Sequence, residues 1–143
     1  MVDGRSTTIP KANYILNLSE NDKFGSSIAA YDNLFAIGAP GDDVYSGSTI
    51  TAESTGAVYI FDFNSADAST LTFDAKMAAL GSLGRTYTVK GLAANDNFGS
   101  ALGLTRYTAS GGTVYNLLAI GASGDDVYSG STITTQNTGA VYL

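Results

Sequence analysis

At 143 residues with 44% apolar content, the chain has the length of about one domain and enough apolar residues for a packed core. It is acidic, with a net charge of −6 and only 14% charged residues, and an acidic surface repels phosphate backbones, which argues against nucleic acid as a partner. It has no cysteine and no histidine, which removes disulfides, thiolate and imidazole catalysis, and zinc sites built on either residue.

Residues 1–13 read as a polar leader without the basic-then-apolar pattern of a signal peptide. Nowhere does the chain reach the ~18 consecutive apolar residues of a membrane helix, so no membrane insertion is expected. A first unit spans 14–61. It opens on a strand at Tyr14–Leu18, followed by Asn21-Asp22-Lys23-Phe24-Gly25-Ser26 and a second strand at Ser26–Tyr31. Leu34–Gly38 is a continuous apolar run, the pattern of a strand covered on both faces. A polar loop at Gly41–Thr51 precedes a further strand at Ala57–Phe61.

Residues 62–85 read as a link. Within it Leu71–Ala75 alternates like a strand, Lys76–Leu80 is either a helical turn or more strand, and Gly81 and Gly84 break anything longer. A second unit spans 86–143, with strands expected at Thr86–Lys90, Ser100–Tyr107, Asn116–Gly121 and Ala140–Leu143. Abundant Gly, scarce Pro and many Val, Ile, Tyr and Phe residues suit short strands joined by tight turns, so the chain is expected to be all-β.

The two units are copies. Asp22 recurs 74 positions on as Asp96, while Gly38 and Gly56 recur 83 positions on as Gly121 and Gly139. The second copy therefore carries nine extra residues, all within Thr105–Asn116, where Ser110-Gly111-Gly112 marks a longer hairpin between the same two strands. A repeated unit usually buries its apolar faces against its neighbours rather than within itself.

The order Phe24-Gly25-Ser26-Ser27, Ile37-Gly38-Ala39-Pro40, Gly56-Ala57-Val58-Tyr59 resembles the FG-GAP repeat. The same order returns as Phe98-Gly99-Ser100-Ala101, Ile120-Gly121-Ala122-Ser123, Gly139-Ala140-Val141-Tyr142. The resemblance implies β-propeller blades of four strands, as in integrin α heads and large bacterial surface proteins. It implies an extracellular or cell-surface setting and a role in adhesion. Two blades cannot close a ring, since propellers use about 4–8. Self-association, with a trimer of two-blade chains as the simplest closure, or a longer parent chain would complete it.

Site candidates lie in the loops. Gly41–Thr51 and Gly124–Thr134 are identical over eleven residues, whereas the strands Ser26–Ala30 and Ser100–Leu104 have diverged. Loops normally vary more than strands, so the identity signals a shared constraint. Asp42, Asp43, Asp125 and Asp126 could help to hold calcium, which takes 6–8 oxygens. Alternatively the loop is self-structured, with Asp and Ser side chains capping their own backbone. The Asp-rich turn that many relatives place between the first two strands is reduced here to Ala30-Tyr31-Asp32-Asn33, so that calcium site does not carry over.

Asp22 and Asp96 either cap a turn or complete a site with the Asp-Asp loop. Tyr45 and Tyr128 are expected to be exposed and able to stack on a sugar or contact a protein, or else to pack the loop onto its own blade. No nucleophile has a base at hand, so a non-enzymatic module is expected. The alternatives are a lectin-like sugar binder and an accessory domain of an extracellular hydrolase.

Overall fold

A computed structural model of the chain describes residues 18–63, 71–78 and 85–143. The leader and all of the strand expected at Tyr14–Leu18 except Leu18 lie outside these residues. Within them every regular element is a strand, as the composition leads one to expect.

The first sheet comprises β1 (Ser27–Tyr31), β2 (Leu34–Ala39), β5 (Ala57–Phe63), β6 (Leu71–Ala78) and β7 (Arg85–Thr88), in the order β1-β2-β5-β6-β7. Neighbours are antiparallel through β6, and β7 runs parallel to β6. The β1–β2 turn holds two residues between the paired Tyr31 and Leu34, with Asp32 in the left-handed region at φ 57°. Asp tolerates that conformation better than most residues. From Ala36 to Ala39 every residue of β2 is buried, as a strand covered on both faces requires.

The link carries the strand expected at Leu71–Ala75. It supplies β6, the fourth antiparallel strand of the first sheet, and Lys76–Ala78 continue that strand. Periodicity cannot separate helix from strand in so short a run, and pairing with the open edge of β5 decides it. The strand expected to open the second unit is β7, and it lies on the first sheet.

The second sheet has β8 (Phe98–Thr108), β9 (Val114–Ala122) and β12 (Ala140–Tyr142), in the order β12-β9-β8. The nine extra residues lengthen the β8–β9 hairpin, as expected. Its turn is closed by Ala109 N–H on the Thr113 carbonyl at 2.9 Å, with Gly112 at φ 81°. Two small hairpins complete the fold: β3 (Val44–Ser46) with β4 (Thr49–Ala52), and β10 (Val127–Ser129) with β11 (Thr132–Thr135). These are the identical loops.

Strand alternation divides the core. Ala57, Tyr59 and Phe61 face one side of the first sheet with Ile37, Ala39 and Ala78, and Phe24 lies edge-on to Tyr59 and Phe61 at 5.4 and 6.4 Å between ring centres. Val58 and Ile60 face the other side, where Ala36, Phe98, Ile120 and Ala122 form a second cluster shared between the two sheets. Phe98 is edge-on to Tyr142 of its own sheet at 5.3 Å, the counterpart of the Phe24–Tyr59 pair. It is also fully buried beneath the first sheet. Truncating a buried Phe to Ala typically costs about 3–5 kcal/mol, so this one ring contributes much of what joins the units.

The backbones meet as well. Asn95, Asn97 and Phe98 donate N–H bonds to the carbonyls of Glu53, Ser54 and Thr55 at 2.8, 3.0 and 3.0 Å, and Ser27 Oγ donates to the Gly99 carbonyl at 2.6 Å. Such an approach leaves no room for side chains. A Cβ on Gly38 would lie 2.1 Å from the Gly99 carbonyl oxygen, and one on Gly56 would lie 2.1 Å from that of Phe98. Gly38 and Gly56 are therefore joints between units.

Candidate functional site

The loop after β2 is built from its backbone outward. Gly41 N–H donates to the Asp22 carbonyl and Asp42 N–H to that of Ala39, both at 3.1 Å, turning the chain sharply out of the sheet. A Cβ on Gly41 would sit 2.0 Å from the Asn21 carbonyl oxygen, which explains the glycine. The Asp42 carbonyl then accepts from Gly56 N–H at 2.9 Å and from Thr55 Oγ1 at 3.2 Å, tying the loop to the start of β5.

The Asp42 carboxylate points inward. It accepts from Tyr59 Oη at 2.6 Å and from Lys76 Nζ at 2.9 Å on both oxygens. All three side chains are buried, and Lys76 Nζ also lies 5.1 Å from the centre of the Tyr59 ring. Burial, with the Asp42 charge beside it, holds the Tyr59 phenol well above its ordinary range. Asp43 takes a different role. Its Oδ1 accepts Ser54 N–H at 2.7 Å across the base of the β3–β4 hairpin.

The second unit repeats this frame. Gly124 N–H donates to the Asp96 carbonyl, Gly139 N–H to that of Asp125, and Tyr142 Oη to the Asp125 carboxylate at 2.5 Å. Asp126 Oδ1 accepts Asn137 N–H at 2.7 Å. Burial and the Asp125 contact raise the Tyr142 phenol. No cation among the described residues pairs with Asp125, whereas Asp42 has Lys76.

Asp22 and Asp96 are buried at 3% and 1% exposure. Each caps a turn through one oxygen, accepting Ser19 N–H and Ala93 N–H respectively at 2.5 Å. The other oxygen of each is without a hydrogen-bond partner among the described residues. Burial pushes the Asp22 carboxyl up to about 6. The charges of Asp42 and Asp43 add to that, while the Ser19 amide and Lys76 oppose it. Burial raises Asp96 in the same way, with Asp125 and Asp126 adding and the Ala93 amide opposing.

These contacts place the four loop aspartates as internal braces, with Asp43 and Asp126 as caps and Asp42 and Asp125 as anchors for a tyrosine. Among the described residues no cluster of three or more acidic side chains is arranged to hold a metal ion. The pairing with Lys76 has no signal in sequence spacing, because Lys76 lies in the stretch read as a link. The small hairpins were legible in principle, since strand-like residues flank Ser46-Gly47-Ser48, and Gly47 takes φ 63° there.

Tyr45 is 37% exposed and Tyr128 42%, so both stand on the surface of their hairpins. Tyr45 Oη donates to Ser19 Oγ at 3.3 Å. It lines an open cleft of about 540 Å³ together with Ser19, Glu20, Asn21, Gly41, Asp43, Ile50, Glu53 and Ser54. An aromatic face beside carboxylates and hydroxyls can stack on a ring and hydrogen-bond its substituents. At the positions of Ser19, Glu20 and Glu53 the second unit has Ala93, Ala94 and Gln136, so the chemistry around Tyr128 is poorer in polar groups.

No helix of the described residues is long and apolar enough to cross a membrane. No curated protein matches the chain. A family model described as FG-GAP repeat matches residues 17–61, which run through the Phe24-Gly25 turn, the Asp42 loop and into β5. Residues 17–61 thus match the FG-GAP repeat, the family whose motifs the sequence resembles.

Proposed function

We propose that the chain is a non-enzymatic, adhesion-type module of a bacterial surface protein, whose blade-like sheets present the Tyr45 hairpin and its cleft to a protein or glycan. The observation that carries this reading is the contrast between a loop braced from within and the groups it leaves outside. Asp42, Asp43, Thr55 and Tyr59 hold the loop, while Tyr45 and Ile50 stay exposed over a polar cleft. A rigid scaffold under an exposed aromatic suits recognition, because little conformational entropy is lost on binding. The FG-GAP repeat supports an extracellular setting. Without His or Cys the cleft has no imidazole base and no thiol nucleophile.

The Tyr45 ring beside Glu20, Asp43 and Glu53 also favours a lectin-like reading, in which a sugar stacks on the tyrosine. Arrays of glycans and of extracellular-matrix proteins test both. Binding that falls at least tenfold in Tyr45→Ala and survives in Tyr45→Phe supports the module reading. The class of array that responds decides between protein and sugar. No binding of the wild-type chain to either array would remove the proposal.

A further inference from the structure

We infer that the second unit's outer face docks the first unit of another copy of this chain, head to tail, through a second use of the joint already formed inside the chain. The internal joint has two halves. One is the Phe-Gly turn of the second unit, which donates the N–H groups of Asn95, Asn97 and Phe98. The other is the back of the first unit, which offers the carbonyls of Glu53 to Thr55, the bare Gly38 and Gly56, and the Val58 side chain.

Each half has a duplicate that is already in the same shape. Asn21, Lys23 and Gly25 take φ 68°, 56° and 91°, against 68°, 55° and 90° for Asn95, Asn97 and Gly99. On the other side Asn137 and Gly139 take φ 51° and 73°, against 48° and 86° for Ser54 and Gly56. Among the described residues both duplicates are open. None of those residues lies within 4 Å of a Cβ built on Gly25, whereas one on Gly99 would meet the Ala57 carbonyl oxygen at 2.6 Å. Val141 is 71% exposed where its counterpart Val58 is fully buried. Ile28 is 64% exposed where its counterpart Leu102 packs into the shared core.

A surface that binds one unit in this way is complementary to the unit that carries the matching half, and another copy of this chain is such a unit. The contact is heterologous, so it either closes a ring or runs on as a filament. Propellers close at about 4–8 blades, and a trimer of two-unit chains falls within that range. This inference is independent of what the Tyr45 cleft binds.

Light scattering on the intact chain over a range of concentrations tests it. The wild type is expected to reach a multiple of its 14.7 kDa mass. Val141→Arg spoils one half and Ile28→Arg the other. Both positions are exposed, so each variant is expected to keep the wild-type circular dichroism spectrum while its mass falls to 14.7 kDa. Mixed in equal amounts, the two variants are expected to form a particle of twice that mass, because one intact joint remains. A wild type that stays at 14.7 kDa at every concentration would overturn the inference and leave the face to some other segment or partner. Folded variants that keep the wild-type mass, or a mixture that stays monomeric, would overturn it equally.

Discussion

Val58 and Val141 occupy the same place in two copies of one unit, yet the first is fully buried and the second is 71% exposed. The same split runs through their surroundings. Gly38 is pressed by the Gly99 carbonyl, while the nearest atom to a Cβ on Gly121 is the Ala101 Cβ at 3.2 Å. Asp42 is locked by Lys76 as well as Tyr59, while among the described residues the Asp125 carboxylate meets the Tyr142 hydroxyl and no cation. Repeated sequence has produced repeated local geometry, but burial depends on what stands beside each copy. In a repeat protein stability belongs to the joints as much as to the units.

The largest effect is expected at the buried ion pair of Asp42 with Lys76, which has no counterpart at Asp125 among the described residues. Lys76→Met would leave the Asp42 carboxylate buried beside Tyr59 with no cation, and breaking a buried pair from one side costs about 3–5 kcal/mol. Denaturant unfolding measures it. A loss under about 1 kcal/mol would mean that the pair is hydrated and weak.

The glycine joints come next. Gly38→Ala is expected to destabilise by about 1–3 kcal/mol or more, because its Cβ would meet a backbone carbonyl that cannot swing aside. Gly121→Ala should cost less than about 1 kcal/mol, since its neighbours need give only a few tenths of an ångström. Equal losses at the two sites would erase the distinction between an occupied joint and an open one.

A smaller effect follows from Asp22. Its folded pKa of about 6 lies above the ordinary value of 3.8, so folding takes up a proton between those limits. Its contribution therefore favours the folded state more as pH falls from about 6 toward 4, and is least favourable at neutral pH and above. Melting temperatures of the wild type and Asp22→Asn should show the wild type gaining on the variant between pH 7 and pH 5. A constant gap would refute the shift. The smallest effect is expected from calcium. Because the loop aspartates already brace the backbone and Lys76, melting curves in calcium and in chelator should coincide. A calcium-dependent rise would restore the cation reading of Asp42, Asp43, Asp125 and Asp126.

Much of the fold was legible because it rests on local pattern. The doubled motifs marked the units, the alternation and glycine breaks placed β1, β2, β5, β8, β9 and β12, and the spacing difference located the long hairpin. The exposed tyrosines and the capping alternative for the loop were legible too. What stayed hidden depends on distant pairing. The strand at Leu71–Ala75 could be read from its alternation, but the edge of β5 that it joins is invisible in the linear chain. Lys76 could not be matched to Asp42, 34 positions away, before β6 was placed. Nor could identical loops reveal that Asp42 meets a buried lysine while no described residue supplies one to Asp125.

Amide hydrogen exchange, read residue by residue as a function of concentration, tests the contrast between the closed and the open joint most directly. The amides of Asn95, Asn97 and Phe98 are expected to stay protected at every dilution, because their carbonyl partners belong to the same chain. Those of Asn21, Lys23 and Phe24 should exchange quickly when dilute and slow down as the chain is concentrated. Rapid exchange at Asn95, Asn97 and Phe98 in the folded, dilute chain would contradict the account, for it would mean that the two units do not hold each other.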